Sequence, residues 1–224
     1  MGLQKMCRKS KNMKFVRCMA GLVSLAVICI FSSMSTAASG SASSYEYRLK
    51  ATFIYQFVNF IYGWKFEQEK DEDNKGEEKT IVLGIIGKDP FGEAFKPLAE
   101  KTAKERKIEV KRFEGFSKLK SRDEEIAVHP QIDQLKKCDI LFVCSSEQKY
   151  IDKILSPIRN ERVLTIADTE GFLEKGGIIN FIIEKSKVRF EINVEGARRA
   201  KLTIRSKLLR LATDVIMEDE VEDE

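Results

Sequence analysis

Residues 171–193 read GFLEKGGIINFIIEKSKVRFEIN: two apolar runs flank a charged EKSK, and a glycine pair, Gly176–Gly177, stands in front. Two short strands joined this closely can only run antiparallel, so the stretch predicts a β-hairpin. Working upstream, strand-like and helix-like segments alternate. TIVLGIIG (80–87), KIEVKRFE (107–114), CDILFVC (138–144) and RVLTIAD (162–168) read as strands. EAFKPLAEKTAKE (93–105), IDQLKK (132–137) and SSEQKYIDKILSPIRN (145–160) read as helical, with Pro97 and Pro157 as irregularities. This alternation predicts one α/β domain: a mostly parallel sheet flanked by helices, closed by a C-terminal antiparallel hairpin.

Outside that frame, Leu49, Phe53, Phe57, Phe60 and Ile61 recur at helical spacing, and Gly63 supplies a stop. Residues 193–216 are predicted helical, with Asn193 and Ser206 as caps. In the hairpin, Asn180 lies on the first strand, and Arg189 and Glu191 alternate with Phe190 on the second. The aromatic face is expected to cover the core while the charged face stays open. A late hairpin also offers a sheet edge with unpaired backbone groups, suited to a second copy or a receptor domain. Arg198, Arg199 and Lys201 add a basic surface beside it, or simply a solvated helix face.

The first 42 residues are of another kind. Six bases and no acid lie between Lys5 and Arg17, followed by the apolar run Cys18–Phe31 and a string of small residues. That is the layout of a cleaved export signal over residues 1–37, with cutting as late as 42; a retained anchor is the other reading. The whole chain has 39 bases against 35 acids, and losing the signal leaves 33 against 35. The basic balance therefore belongs to the signal, and no nucleic-acid partner is expected. The folded part is expected over 44–216, with an acidic insertion at 65–79 and an acidic, disordered tail at 217–224.

Two cysteines remain after the signal, Cys138 and Cys144. Six residues apart on one strand, they share a face at a separation of roughly 20 Å. A disulfide between them is not expected, since Cα atoms must come within about 7 Å.

Motifs for catalysis are sparse. His129 is the only histidine, too few for a catalytic metal site. GKDPFG (87–92) lacks the Lys-Ser/Thr pair of a phosphate loop. No cofactor fingerprint is present, so neither catalysis nor a cofactor is expected. One constellation stands out: GKDPFG, CSSE (144–147) and ADTEGF (167–172) each follow a strand, and loops at the carboxyl ends of parallel strands converge. Asp89, Phe91, Ser145, Ser146, Asp168, Thr169, Gly171 and Phe172 are thereby candidates for a ligand or partner site. The competing view makes them turn and cap residues.

LKATFIYQFVNFIYGW (49–64), LGIIGKDPFGEA (83–94), CDILFVCSSE (138–147) and the long run from Val163 to Ala212 resemble the YfiR family of exported bacterial proteins. The resemblance covers essentially residues 47–213 and is most specific from Gly171 to Ala212; the acidic insertion matches nothing in it. It implies a non-enzymatic periplasmic regulator that binds the periplasmic part of an inner-membrane sensor, of diguanylate cyclase or histidine kinase type. In the founding system the bound cyclase is held inactive, which lowers cyclic di-GMP and disfavours surface attachment. The family is also associated with homodimers and redox-sensitive cysteines. Members often carry a cysteine where this chain has Gly84, opposite the one matching Cys138, which puts such a redox switch in doubt here. A periplasmic sensor of a small ligand, feeding a membrane kinase or cyclase, is the second reading.

Overall fold

The computed structural model describes residues 38–67, 80–119 and 126–217. The predicted export signal over 1–37, positions 68–79 of the acidic insertion and positions 218–224 of the tail lie outside them. The chain divides into residues 1–43 and 44–224; of the first unit only the start of helix α1 (Ala38–Phe57) is described.

Within 44–224 the predicted alternation is present. The strands are β1 (Ile61–Tyr62), β2 (Thr80–Ile86), β3 (Thr102–Ala103), β4 (Arg106–Phe113), β5 (Ile140–Val143), β6 (Leu164–Ala167), β7 (Ile179–Glu184), β8 (Lys187–Asn193), β9 (Thr203–Ile204) and β10 (Val215–Ile216). Eight of them form one sheet in the order β10-β8-β7-β6-β5-β2-β4-β3. The run from β4 to β7 is parallel throughout. β1 and β9 form a separate antiparallel ribbon.

Period-two patterning explains how both faces of the sheet are buried. In β5, Ile140 and Phe142 join a core under α1, while Leu141 and Val143 join a second core on the other face. The fully buried β5 and β6, apolar but for Thr165, suit strands covered on both sides. The predicted aromatic stripe packs through Phe57, which lies 5.8 Å from Phe181 and 5.1 Å from Phe190, ring to ring. The helix ends there: Phe60 falls in a 3-10 turn and Ile61 in β1. The predicted hairpin is β7–β8, with Asn180 opposite Glu191 and Phe181 opposite Phe190. Lys185 and Ser186 take left-handed backbone at its tip (φ 48° and 61°), the twist a two-residue hairpin loop requires.

Several expectations are corrected. EAFKPLAEKTAKE is not a helix. Pro97 sits in a single 3-10 turn, Lys96–Leu98, and the chain then enters β3, which returns into β4 through left-handed Lys104 and Glu105. The hairpin edge is not left open along its length: β10 pairs with Ile192 and Asn193 of β8, and Thr213 donates to the carbonyl of Phe190. The closing stretch is thus helix, ribbon strand, helix and edge strand in turn. Asn193 caps its first helix, accepting from Gly196 N at 2.7 Å, but Ser206 is the first helical residue and Arg205 the cap position. At the start of the expected insertion, Lys65–Glu67 form a 3-10 turn with Phe66 buried. Trp64 beside it is fully buried, donates Nε1–H to the Ile61 carbonyl at 2.8 Å and stacks on Phe66 at 5.8 Å.

Cys138 and Cys144 are free and buried, but on opposite faces of the sheet rather than one. β5 starts only at Ile140, so Cys138 escapes the strand's alternation. Burial pushes the Cys138 thiol up to about 11, and pushes Cys144 higher still. His129, outside any helix or strand, is buried at 2 % exposure. Its Nδ1 accepts from Gln131 N at 3.1 Å, which leaves Nε2 to donate to the Glu114 carbonyl at 2.8 Å.

Candidate functional site

The predicted loop edge divides into two crevices. The first lies between β2 and β5, where the chain's connections change direction: β2 leads to β4 on one side, and β5 follows on the other. In open parallel sheets that reversal is where ligands are held. Here it is filled from within. Gly87 (φ +106°) turns the chain so tightly that a Cβ there would lie 2.6 Å from Ser146 Oγ. Ser146 Oγ accepts from Lys88 N at 3.0 Å and donates to Glu147 at 3.0 Å. Glu147 is fully buried and also accepts from Ser117 N at 3.1 Å and from the Ser117 hydroxyl. Gly115 makes room for it, since a Cβ there would fall 2.0 Å from Glu147 Oε1. Asp89 is likewise engaged, accepting from Phe91 N and from Arg112 Nε, each at 2.7 Å.

The second crevice, at the ends of β6 and β7, is open. It is a cleft of about 530 Å³ between residues 46–50 in the middle of α1, the Asp168 loop and the hairpin. Phe181, Ile182 and Leu173 give it an apolar floor, and Glu46, Glu170, Glu174 and Glu191 an acidic wall. At its centre Lys50 Nζ lies 2.7 Å from Asp168 Oδ2 and 2.6 Å from Glu46 Oε1. Tyr47 donates its hydroxyl to the same Asp168 oxygen at 2.8 Å. The side chains of Lys50 and Asp168 are only 3 % and 6 % exposed, and charges so deeply buried persist because they are paired. Burial, then the Asp168 charge, raise the Tyr47 hydroxyl far above its ordinary range, which fixes it as a donor. With two carboxylates to one ammonium, the cluster keeps a net negative charge. Asp168 Oδ1 and Thr169 Oγ1 are buried without a protein partner. Asn180 ties the loop down, accepting from Thr169 N at 3.0 Å.

Of the sequence-predicted residues, Ser145, Asp168, Gly171, Asn180 and Glu191 line the cleft. Asp89 and Ser146 belong to the filled crevice. Thr169 is buried behind the cleft wall. Phe91 is a core ring, edge-on to Tyr47 at 5.3 Å. Phe172 packs in the second core, its ring so close to Gly177 that a Cβ there would lie 2.2 Å away. Arg189 stands exposed on the hairpin, and Arg198 bonds Glu195 at 2.7 Å within its own helix. Sequence reasoning missed Glu46, Tyr47 and Lys50. The signal was present: Lys50 falls in the stripe with Ile54 and Phe57, where a lysine must be paired to be buried.

Gly84 faces Cys138 across β2 and β5: a Cβ at 84 would lie 2.8 Å from the Cys138 sulfur. Among the described residues no group of His, Cys, Asp and Glu is placed to hold a metal ion, and no helix is long and apolar enough to cross a membrane.

A family model described as YfiR/HmsC-like matches residues 47–213. No curated protein matches the chain. Among solved structures, the crystal structure of a conserved domain protein from Vibrio cholerae O1 biovar El Tor str. N16961 is similar at a TM-score of 0.48 and 12 % identity. That match covers 76 % of this chain and 60 % of the other, so the chain spans less than two thirds of that structure's length.

Proposed function

The chain belongs to the YfiR/HmsC-like family of periplasmic regulators, and from that premise we propose that it is a non-enzymatic repressor of an inner-membrane signalling protein. It binds the partner's periplasmic part and, where the output domain is a diguanylate cyclase, lowers cyclic di-GMP. The observation that carries this reading is the cleft at Asp168, an apolar floor with an acidic wall, which suits a partner segment bearing basic and apolar side chains. The state of three candidate reactive groups, in the cleft and away from it, supports binding rather than turnover. Tyr47 is held as a donor, Cys144 is buried as a thiol, and His129 has both nitrogens committed. Repression then needs only a higher affinity for the partner's inactive state than for its active one.

The test is capture of the tagged, exported protein from detergent-solubilised membranes. Wild type retains an integral membrane sensor, and Glu170→Lys with Glu174→Lys loses it. Capture that survives the charge reversal would place the docking surface elsewhere.

A second reading, a sensor of a small ligand, is favoured by the unpartnered Asp168 Oδ1 and by a volume within the range of ligand pockets. Thermal stabilisation by a periplasmic metabolite fraction, abolished by Asp168→Asn with partner capture intact, would establish it.

A further inference from the structure

The cleft is acidic, yet the chain also carries a basic face that the regulator reading leaves unused. From Arg198 to Arg210 there are six cations and no acid in thirteen residues. The fold brings part of this run onto the β1–β9 ribbon, where Tyr62 pairs with Thr203. The Tyr62 ring, 41 % exposed, is flanked by Lys104 Nζ at 4.5 Å and by the Arg205 guanidinium at 5.1 Å. Lys207 Nζ lies 5.7 Å from the neighbouring Phe60 ring. Arg162 donates to the carbonyls of Gly63 and Lys201 at 2.9 and 3.2 Å, which fastens the Lys201 turn to the same ribbon. Cations from two separate parts of the sequence, Lys104 and Arg205, therefore flank one exposed phenol. Lys104 is paired with Glu67. Among the described residues, Lys201, Arg205 and Lys207 are exposed and have no carboxylate partner.

We propose that this face docks on an anionic phospholipid surface. Exposed cations without carboxylates are drawn to a sheet of lipid phosphates, and the attraction is lost beyond a Debye length. The half-exposed phenol fits the same partner, because tyrosine places its ring at headgroup level with the hydroxyl toward water. Leu211, four residues on from Lys207 and 59 % exposed, adds an apolar contact for the interface. A single patch of this kind holds a protein reversibly, so it concentrates the chain at a bilayer without anchoring it. The proposal does not depend on which protein occupies the cleft.

The experiment is co-sedimentation of the exported protein with vesicles of phosphatidylglycerol and phosphatidylcholine, against vesicles of phosphatidylcholine alone. Binding about tenfold tighter to the anionic vesicles, lost at high salt, is the expected result. Lys201→Gln/Arg205→Gln/Lys207→Gln removes the preference, while Lys185→Gln/Lys187→Gln, exposed at the tip of the β7–β8 hairpin, keeps it. Equal binding to both vesicles, or a preference that survives the triple substitution, overturns the proposal. So does equal affinity for a DNA duplex at the same salt, which would mark a general polyanion surface. Should the triple variant fail to fold, the lipid and salt dependence of the wild type decides.

Discussion

The crevice between β2 and β5 and the cleft at β6 and β7 open off the same edge of one sheet, and both hold a buried carboxylate. In the first, Glu147 takes its hydrogen bonds from backbone and hydroxyl donors, and the glycines at 87 and 115 let the walls close on it. In the second, Asp168 takes its partners from a helix on the sheet's face, and the hairpin stands off from it. A strand end becomes a site or a plug according to what packs across from it. The loop sequence alone carries no record of that choice.

The comparison is broken most directly at Lys50. Lys50→Met leaves Asp168 buried and less than half paired, and is expected to cost about 3–5 kcal/mol in urea unfolding, with partner capture lost. Glu147→Ala tests the other side. It strands the donors on Ser117 and Ser146 and should cost about 2–3 kcal/mol, yet leave capture intact. If both variants abolish capture equally, the two crevices form one site.

Gly84→Cys probes the strands beneath. The new sulfur is expected to close a disulfide with Cys138 on oxidation, read as the loss of two titratable thiols relative to the reduced variant. Alkaline pH gives a smaller effect. The folded chain holds the Cys138 proton more tightly than the unfolded chain, whose thiol ionises near its ordinary value of about 8.5. Stability is therefore full below that value and declines as pH rises toward about 11. The slope is about 1.4 kcal/mol per pH unit for each such cysteine, and Cys138→Ala flattens it in denaturant melts. The smallest change in stability belongs to Glu170→Lys with Glu174→Lys, within about 0.5 kcal/mol of wild type, since both side chains are exposed.

The fold was legible because strands such as Ile140–Val143 are apolar on both faces and the hairpin carries its own turn. Asp168 and Asn180 were legible for a related reason, since strand ends can be placed from the strand pattern alone. Lys50 was hidden because a lysine in an amphipathic helix ordinarily faces water, and its partner lies 118 residues away. The helix predicted at 93–105 failed for a local reason: left-handed backbone at Lys104 and Glu105 has no glycine or asparagine to announce it. Glu147 was masked by its own motif, because CSSE reads as a helix start whether its acid faces solvent or the core.

Trp64 gives this molecule a built-in reporter. It is the chain's only indole, shielded from solvent and stacked on Phe66 where the ribbon meets the rest of the domain. Its emission will come from one environment alone, so a red shift on denaturation reads the detachment of the lipid-facing ribbon directly. Set beside circular dichroism, which reads the main sheet, one fluorophore tells whether the two come apart together or in sequence.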